Sequence, residues 1–172
     1  MKIIEAINWG ISIFDNEKIQ NSKQEIEWFL CEILKKTKLD LYLEFNKKIQ
    51  KLDFNKFQGM IDRRINHEPF QHIIGKAPFY GRDFIVNSNV LVPRPETETI
   101  IHILKKKTKI KKILEIGTGS GCLAITCSIE NISSFIYATD ISQKALSIAK
   151  KNENFYKIKN IKFFLHDFLN MN

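Results

Sequence analysis

The stretch from Ile113 to Gly121 constrains the fold of this chain more than any other part of the sequence. It is an apolar run that ends in three glycines at alternate positions, Ile-Leu-Glu-Ile-Gly-Thr-Gly-Ser-Gly. Glycines let the backbone turn tightly, and they let a ligand approach without a Cβ in the way. A strand-to-helix turn can also need glycine for its shape alone. The pattern therefore predicts a strand, a tight turn and a helix, with or without a ligand.

The residues after the glycines continue an alternation of helix and strand. Helices are predicted over residues 121–128 and 143–152, and strands over residues 135–139 and 161–166. Together with the strand at 113–116, this gives the order β-α-β-α-β, which implies a parallel sheet with right-handed crossovers. We predict an α/β fold for this part of the chain, built as the first half of a Rossmann-like sheet.

Asp140 ends the second predicted strand and is a candidate ligand-binding residue. A carboxylate at this place can accept hydrogen bonds from two ribose hydroxyls. It can also cap the following helix together with Ser142, and the two roles are compatible. The glycine spacing is Gly-x-Gly-x-Gly with Glu115 two residues before it, whereas nicotinamide enzymes favour Gly-x-Gly-x-x-Gly.

Residues 1–74 have helical periodicity and are predicted to form a helical bundle. Apolar residues repeat at helical spacing from Ile3 to Phe14, and we interpret such stripes as core. Ser22 stands three residues before Glu25, which predicts a capping box at the start of a second helix. Asp40 and Asp53 are predicted to cap two further helices.

Proline and glycine residues interrupt the helical pattern between residues 69 and 81. Short β-prone runs flank Gly81, and they predict a small hairpin. We assign residues 75–94 to this hairpin and a linker. Pro95 suits the first turn of a helix that continues through Leu104.

The net charge of +8 comes from 27 Lys and Arg against 19 Asp and Glu. Most of the positive charge is Lys, which favours a general compositional bias over a nucleic-acid-binding face. The basic connector from Lys105 to Lys112 is either a solvated helix end and loop or a surface for an acidic partner. We expect no direct nucleic-acid binding.

The three cysteines and four histidines form no zinc-like or disulfide-like pattern. The N-terminus lacks the features of a signal peptide, and no stretch is long and apolar enough to cross a bilayer. We expect a reduced cytoplasmic protein without a metal.

Three segments together resemble the release-factor glutamine methyltransferase family, also called HemK or PrmC. They are Leu91–Glu98, Glu115–Gly121 and Thr139–Ser142, the last followed by Ala145-Leu146 and Ala149. The second segment also resembles motif I of the S-adenosylmethionine methyltransferases in general. Upstream, Arg63-Arg64, Glu68-Pro69 and Gly75 are similar to the family's domain junction. The resemblance covers residues 60–168.

The resemblance implies S-adenosyl-L-methionine as cofactor and a peptide chain release factor as protein substrate. Gly117, Thr118, Gly119, Ser120 and Gly121 would wrap the methionine part of the cofactor. Asp140 would hold the ribose, and Phe168 would lie beside the adenine, with core packing as its alternative role. Residues 1–74 would be a substrate-recognition domain, and residues 95–172 a partial Rossmann-like methyltransferase domain.

The sequence departs from the family in one respect. The family's catalytic Asn-Pro-Pro-Tyr motif, which holds the substrate amide, is absent from these 172 residues. We therefore name no catalytic residue, and we expect a truncated chain that is inactive alone.

Two other functions stay open at this stage. One is methylation of adenine in DNA, because enzymes of that kind share a similar catalytic motif. The segment at Leu91–Glu98 and the helical front argue against it. The other is a non-catalytic module that binds a release factor or the ribosome, which the missing motif would favour.

Overall fold

The computed structural model describes residues 1–107 and 110–168. Lys109 of the basic connector and the end of the chain, including Asn170–Asn172, lie outside the described residues. The chain forms two compact units, the first from Met1 to Ile74 and the second from Gly75 onward.

The first unit consists of five helices. They are α1 (Ile3–Asn16), α2 (Ser22–Leu34), α3 (Lys38–Leu43), α4 (Lys51–Ile65) and α5 (Phe70–Ile74). Their apolar stripes meet in one core, whose fully buried side chains include Phe14, Ile26, Phe29, Leu30 and Phe57. The predicted helical bundle is therefore confirmed.

The predicted capping box of α2 is wrong. Ser22 is the first helical residue, and its hydroxyl donates to Oδ1 of Asp15 at 2.6 Å. Glu25 instead accepts a hydrogen bond at 2.7 Å from Nε of Arg64 on α4. A spacing of three residues cannot reveal these partners, because Asp15 lies 7 residues from Ser22 and Arg64 lies 39 residues from Glu25.

The caps predicted at Asp40 and Asp53 are also displaced. Thr37 caps α3, and its Oγ1 accepts the backbone N–H of Asp40 at 3.1 Å. Gln50 precedes α4 and makes no side-chain cap hydrogen bond, while Asp53 lies in the first turn. Acidic residues are favoured throughout the first turn by the helix dipole, so their presence does not fix the capping position.

The second unit begins with the predicted hairpin, formed by β1 (Lys76–Phe79) and β2 (Arg82–Ile85). Phe79 pairs with Arg82 across a two-residue turn of Tyr80 and Gly81. Both turn residues have positive φ, +50° and +72°, as the tight turns that match strand twist require.

A 3-10 turn at Pro95–Thr97 leads into α6 (Glu98–Lys105), and the sheet region follows. Its elements are β3 (Ile110–Ile116), α7 (Cys122–Ile129), β4 (Ser133–Asp140), α8 (Gln143–Phe155) and β5 (Ile161–Leu165). The strands are parallel in the order β3-β4-β5. The predicted α/β, Rossmann-like class is confirmed.

Parallel pairing brings the carboxyl ends of the three strands to one side of the sheet. Ile116 pairs with Thr139, and Asp140 pairs with Leu165. Ligands of open α/β sheets bind outside these ends. The register therefore places the loop after β3 beside Asp140 and the residues that follow β5.

Within the described residues, β3 pairs with β4 alone and forms one edge of the sheet. Leu114 and Ile116 on this strand are 53% and 60% exposed. No helix in the described part of the chain is long and apolar enough to span a membrane.

Candidate cofactor site

The loop from Gly117 to Gly121 starts by crossing toward β4. The backbone N–H of Thr118 donates to the carbonyl of Thr139 at 2.8 Å. Gly117 just before it has φ +75°, and a Cβ built there would meet no atom within 4 Å. The backbone at Gly117 is therefore open on the side where a side chain would stand, which leaves room for a ligand.

Asp140 is anchored by two backbone amides, one on each carboxylate oxygen. The N–H of Gly119 donates to Oδ2 at 2.9 Å, and the N–H of Ser142 donates to Oδ1 at 2.9 Å. A carboxylate has about four lone-pair positions, so each oxygen can accept one more hydrogen bond. Asp140 is only 9% exposed. Its carboxylate is thus fixed in place and still has capacity for two hydroxyl donors.

The sequence suggested both Asp140 and Ser142 as caps of the following helix, and the structure gives them different roles. Ser142 is the N-cap of α8, and its Oγ accepts the N–H of Ala145 at 3.2 Å. Asp140 bonds to the backbone before the helix and to the loop. It therefore orients the start of α8 and the loop at the same time.

Gly121 ends the loop where α7 passes close to α8. It has φ +78°, and a Cβ there would lie 3.1 Å from Cβ of Ala149 and 3.2 Å from Cδ1 of Ile125. The third glycine therefore serves helix packing. Gly117 differs, because its surroundings are open.

Glu115 and Thr118 form a polar pair beneath the loop. The hydroxyl of the buried Thr118 donates to Oε2 of Glu115 at 2.8 Å. Burial raises the pKa of Glu115 to about 7, and the nearby charge of Asp140 acts in the same direction. Hydrogen bonds from Thr118 and from the N–H of Ala124 oppose this shift. Thr118 therefore supports the loop from below.

Ser120 is buried, and its carbonyl accepts a hydrogen bond at 2.9 Å from Nδ2 of Asn152 on α8. Sequence reasoning missed Asn152. The only local signal was an amide residue one turn after the buried Ile148 and Ala149, on the apolar face of the helix. That signal does not identify the partner.

Phe168 lies just beyond β5 and is half-buried. Its ring contacts His166 edge to face, with centroids 4.4 Å apart. The N–H of His166 donates to the carbonyl of Asp140 at 3.1 Å, which ties this segment to the end of β4. Phe168 therefore lies just past the end of β5, the strand that pairs with Asp140. Its ring packs against His166, two residues before it.

The arrangement is suited to binding a ligand, and its thiols are poor nucleophiles. Burial raises the pKa of Cys122 to about 11 and that of Cys127 to about 12, so both stay protonated near neutral pH. Among residues 1–107 and 110–168, no group of three or more His, Cys, Asp or Glu could hold a metal ion. The site offers backbone amides, an anchored carboxylate and open space at a strand end.

Two family models match the two units. The model of the PrmC N-terminal domain matches residues 5–75, and that of the ribosomal protein L11 methyltransferase (PrmA) matches residues 95–171. The first match falls on the helical unit, and the second on α6 and the parallel sheet.

Curated relatives extend across both units. The release factor glutamine methyltransferase of Staphylococcus aureus is 41% identical over 127 residues, covering 73% of this chain and 46% of that protein. The enzyme of the same name from Bacillus anthracis is 33% identical, covering 88% and 55%. That of Bacillus subtilis is 33% identical, covering 97% and 59%.

The chain thus spans about half the length of the curated relatives it matches. The helical unit, the parallel sheet and the glycine loop all fall within the matched region. On these matches, the chain belongs to the release factor glutamine methyltransferase family.

Proposed function

We propose that this protein binds S-adenosyl-L-methionine and takes part in methylating a glutamine side-chain amide of peptide chain release factors. The observation that carries the cofactor assignment is the anchored carboxylate of Asp140, held by Gly119 and Ser142 beside an open glycine loop. The names of the relatives support the substrate and favour it over adenine in DNA.

The residues present fit this cofactor in three respects. The remaining lone pairs of Asp140 match the two hydroxyls of a ribose. The open backbone at Gly117 leaves room for the methionine part beside the loop. Phe168, just past the neighbouring strand end, offers an apolar surface for the adenine.

When bound, the cofactor supplies a methyl group on a positively charged sulfur. The chain's own residues would hold the cofactor in one orientation, and orientation is a large part of the rate of such a transfer. The helical unit, Met1–Ile74, would dock the release factor. The 172 residues contain no Asn-Pro-Pro-Tyr, so we expect the polypeptide alone to bind the cofactor without transferring the methyl group.

Cofactor binding is tested by titrating the purified chain with S-adenosylhomocysteine in a calorimeter. Saturable binding with one site is expected. A folded chain that gives no binding heat and no thermal shift would contradict the cofactor assignment.

The methylation itself can be tested in a chimera. These 172 residues would replace the matching region of the Bacillus subtilis relative, which supplies the rest of that protein. Transfer of labelled methyl to a purified release factor is expected, and it should vanish when the acceptor glutamine is changed. A folded chimera that binds the cofactor but never labels the release factor would contradict the substrate assignment alone.

A further inference from the structure

Asn152 is a buried polar residue whose amide contacts two separate parts of the second unit. Its side chain is 0% exposed. Oδ1 accepts the N–H of Ile85 at 2.7 Å, and Nδ2 donates to the carbonyl of Ile85 at 3.0 Å. Nδ2 also donates to the carbonyl of Ser120 at 2.9 Å. One side chain on α8 therefore joins β2 of the hairpin to the glycine loop.

The hairpin register makes Ile85 available for this contact. Residues of an antiparallel pair alternate between hydrogen-bonded and non-hydrogen-bonded positions. Asp83 faces Pro78, which has no N–H to donate, and Ile85 faces Lys76 two residues further along. The backbone groups of Asp83 and Ile85 thus point away from β1.

Two side chains about one helical turn apart, Asn152 on α8 and Tyr156 just after its last residue, hydrogen-bond to these backbone groups of β2. Asn152 holds Ile85, and the hydroxyl of Tyr156 donates to the carbonyl of Asp83 at 2.6 Å. One helical turn rises about 5.4 Å, and two strand residues span about 6.6 Å, so the two repeats nearly match. Of these two side chains, Asn152 also hydrogen-bonds to the glycine loop.

We propose that Asn152 is a positioning residue for the glycine loop, residues 117–121. It fixes the carbonyl of Ser120, and through it the path from Gly117 to Gly121, against the docked hairpin. This role rests on the proposed cofactor site. It predicts that loop order and cofactor affinity depend on the Asn152 amide, beyond what hairpin docking requires.

The chemistry of the contact calls for an amide. An aspartate of the same size can still accept the N–H of Ile85, but it cannot donate to the carbonyls of Ile85 and Ser120. Asn152→Asp therefore removes the hydrogen bond to the loop, together with the one to the carbonyl of Ile85, with little change in volume. Tyr156→Phe removes a hairpin contact and leaves the hydrogen bond to Ser120 in place. Asn154→Asp makes the same chemical change on the exposed side of α8.

The experiment compares these three variants of the 172-residue chain by amide hydrogen exchange and by titration with S-adenosylhomocysteine. In Asn152→Asp, exchange at Gly119 and Gly121 should accelerate about tenfold or more, and affinity should fall about tenfold. Tyr156→Phe and Asn154→Asp should leave loop exchange and affinity within about twofold. Unchanged loop exchange in folded Asn152→Asp, or an equal effect of Tyr156→Phe, would overturn the proposal.

The proposal can still be tested if the Asn152→Asp variant does not fold or if the wild-type chain does not bind S-adenosylhomocysteine. If Asn152→Asp does not fold, the wild-type chain still gives an answer, because both Nδ2 protons of Asn152 should exchange slowly in its NMR spectrum. A fast-exchanging side-chain amide would overturn the proposal. If the wild-type chain binds no S-adenosylhomocysteine, the proposed cofactor site fails, and loop exchange alone decides whether Asn152 positions the loop.

Discussion

Gly119 donates its backbone N–H to Oδ2 of Asp140 at 2.9 Å, across 21 residues of sequence. This contact joins the loop after β3 to the end of β4. Because Asp140 also accepts the N–H of Ser142, its carboxylate is oriented before any ligand arrives. A carboxylate fixed in this way loses little conformational freedom when it binds a hydroxyl pair.

Replacement of this carboxylate should weaken cofactor binding. Asp140→Ala removes the acceptor for the proposed ribose and releases the N–H of Gly119. A hydrogen bond to a charged group contributes about 1.5–3 kcal/mol, so affinity for S-adenosylhomocysteine should fall about ten- to hundredfold. Calorimetry measures this, with Asp62→Ala on the exposed face of α4 as control. Unchanged affinity in a folded Asp140→Ala chain would remove Asp140 from the site.

Stability should fall as pH rises through the range in which Glu115 ionises. Its folded pKa is about 7, against an ordinary value of 4.5. Between these values the folded state binds more protons than the unfolded state, so the free energy of unfolding decreases with rising pH. The loss should be on the order of 1–3 kcal/mol, complete above about pH 7.

The variant Glu115→Gln should remove this pH dependence. A glutamine keeps an acceptor for the hydroxyl of Thr118 and never ionises. Urea unfolding of both chains at about pH 5 and about pH 8 measures the difference. If Glu115→Gln loses as much stability as the wild type over this interval, another group is responsible.

The first and third loop glycines should differ in what their substitution costs. In Gly117→Ala the new Cβ has no close neighbour, so only the positive φ lowers the free energy of unfolding, by about 1–2 kcal/mol. In Gly121→Ala the new Cβ also crowds Ala149 and Ile125, so the free energy of unfolding should fall by about 2–4 kcal/mol. Denaturant unfolding gives both values. Equal costs would mean that α7 and α8 separate easily at Gly121.

In the part of the chain that the structure describes, β3 is an edge strand, and it should make the 172-residue chain associate with itself. An open, apolar strand edge has unpaired backbone groups that can pair with another chain. Leu114→Lys should reduce association measured by sedimentation over a range of concentrations. Leu52→Lys, on the 65% exposed position in α4, should not. A wild-type chain that stays monomeric throughout would contradict this prediction.

The 172-residue polypeptide alone should transfer no methyl group to a release factor. In the family that the sequence resembles, the Asn-Pro-Pro-Tyr motif holds the substrate amide, and these residues do not contain it. Incubation with labelled S-adenosylmethionine and a purified release factor tests this expectation. Transfer above background would show that the amide is held by residues other than that motif.

The sequence by itself determined the order and type of most elements, whereas the short helix α5 lies where proline and glycine residues had predicted an interruption of the helical pattern. Helical periodicity marked the front bundle, and the apolar run before Gly117 marked β3, because both patterns repeat over a few neighbouring residues. The β-prone runs on either side of Gly81 likewise predicted the hairpin turn from local residues alone. The positions of the loop glycines and of Asp140 at strand ends followed from these elements.

Tertiary structure decided which polar groups meet. Glu25 pairs with Arg64 rather than with a cap, and Asn152 bonds to Ile85 and Ser120, which precede it by 67 and 32 residues. A hydrogen bond needs its partners within about 3 Å, and only the packed chain sets such distances between remote residues. For the same reason, the sequence could suggest Asp140 as a ligand-binding residue, while the fold decided that Gly119 and Ser142 would orient it.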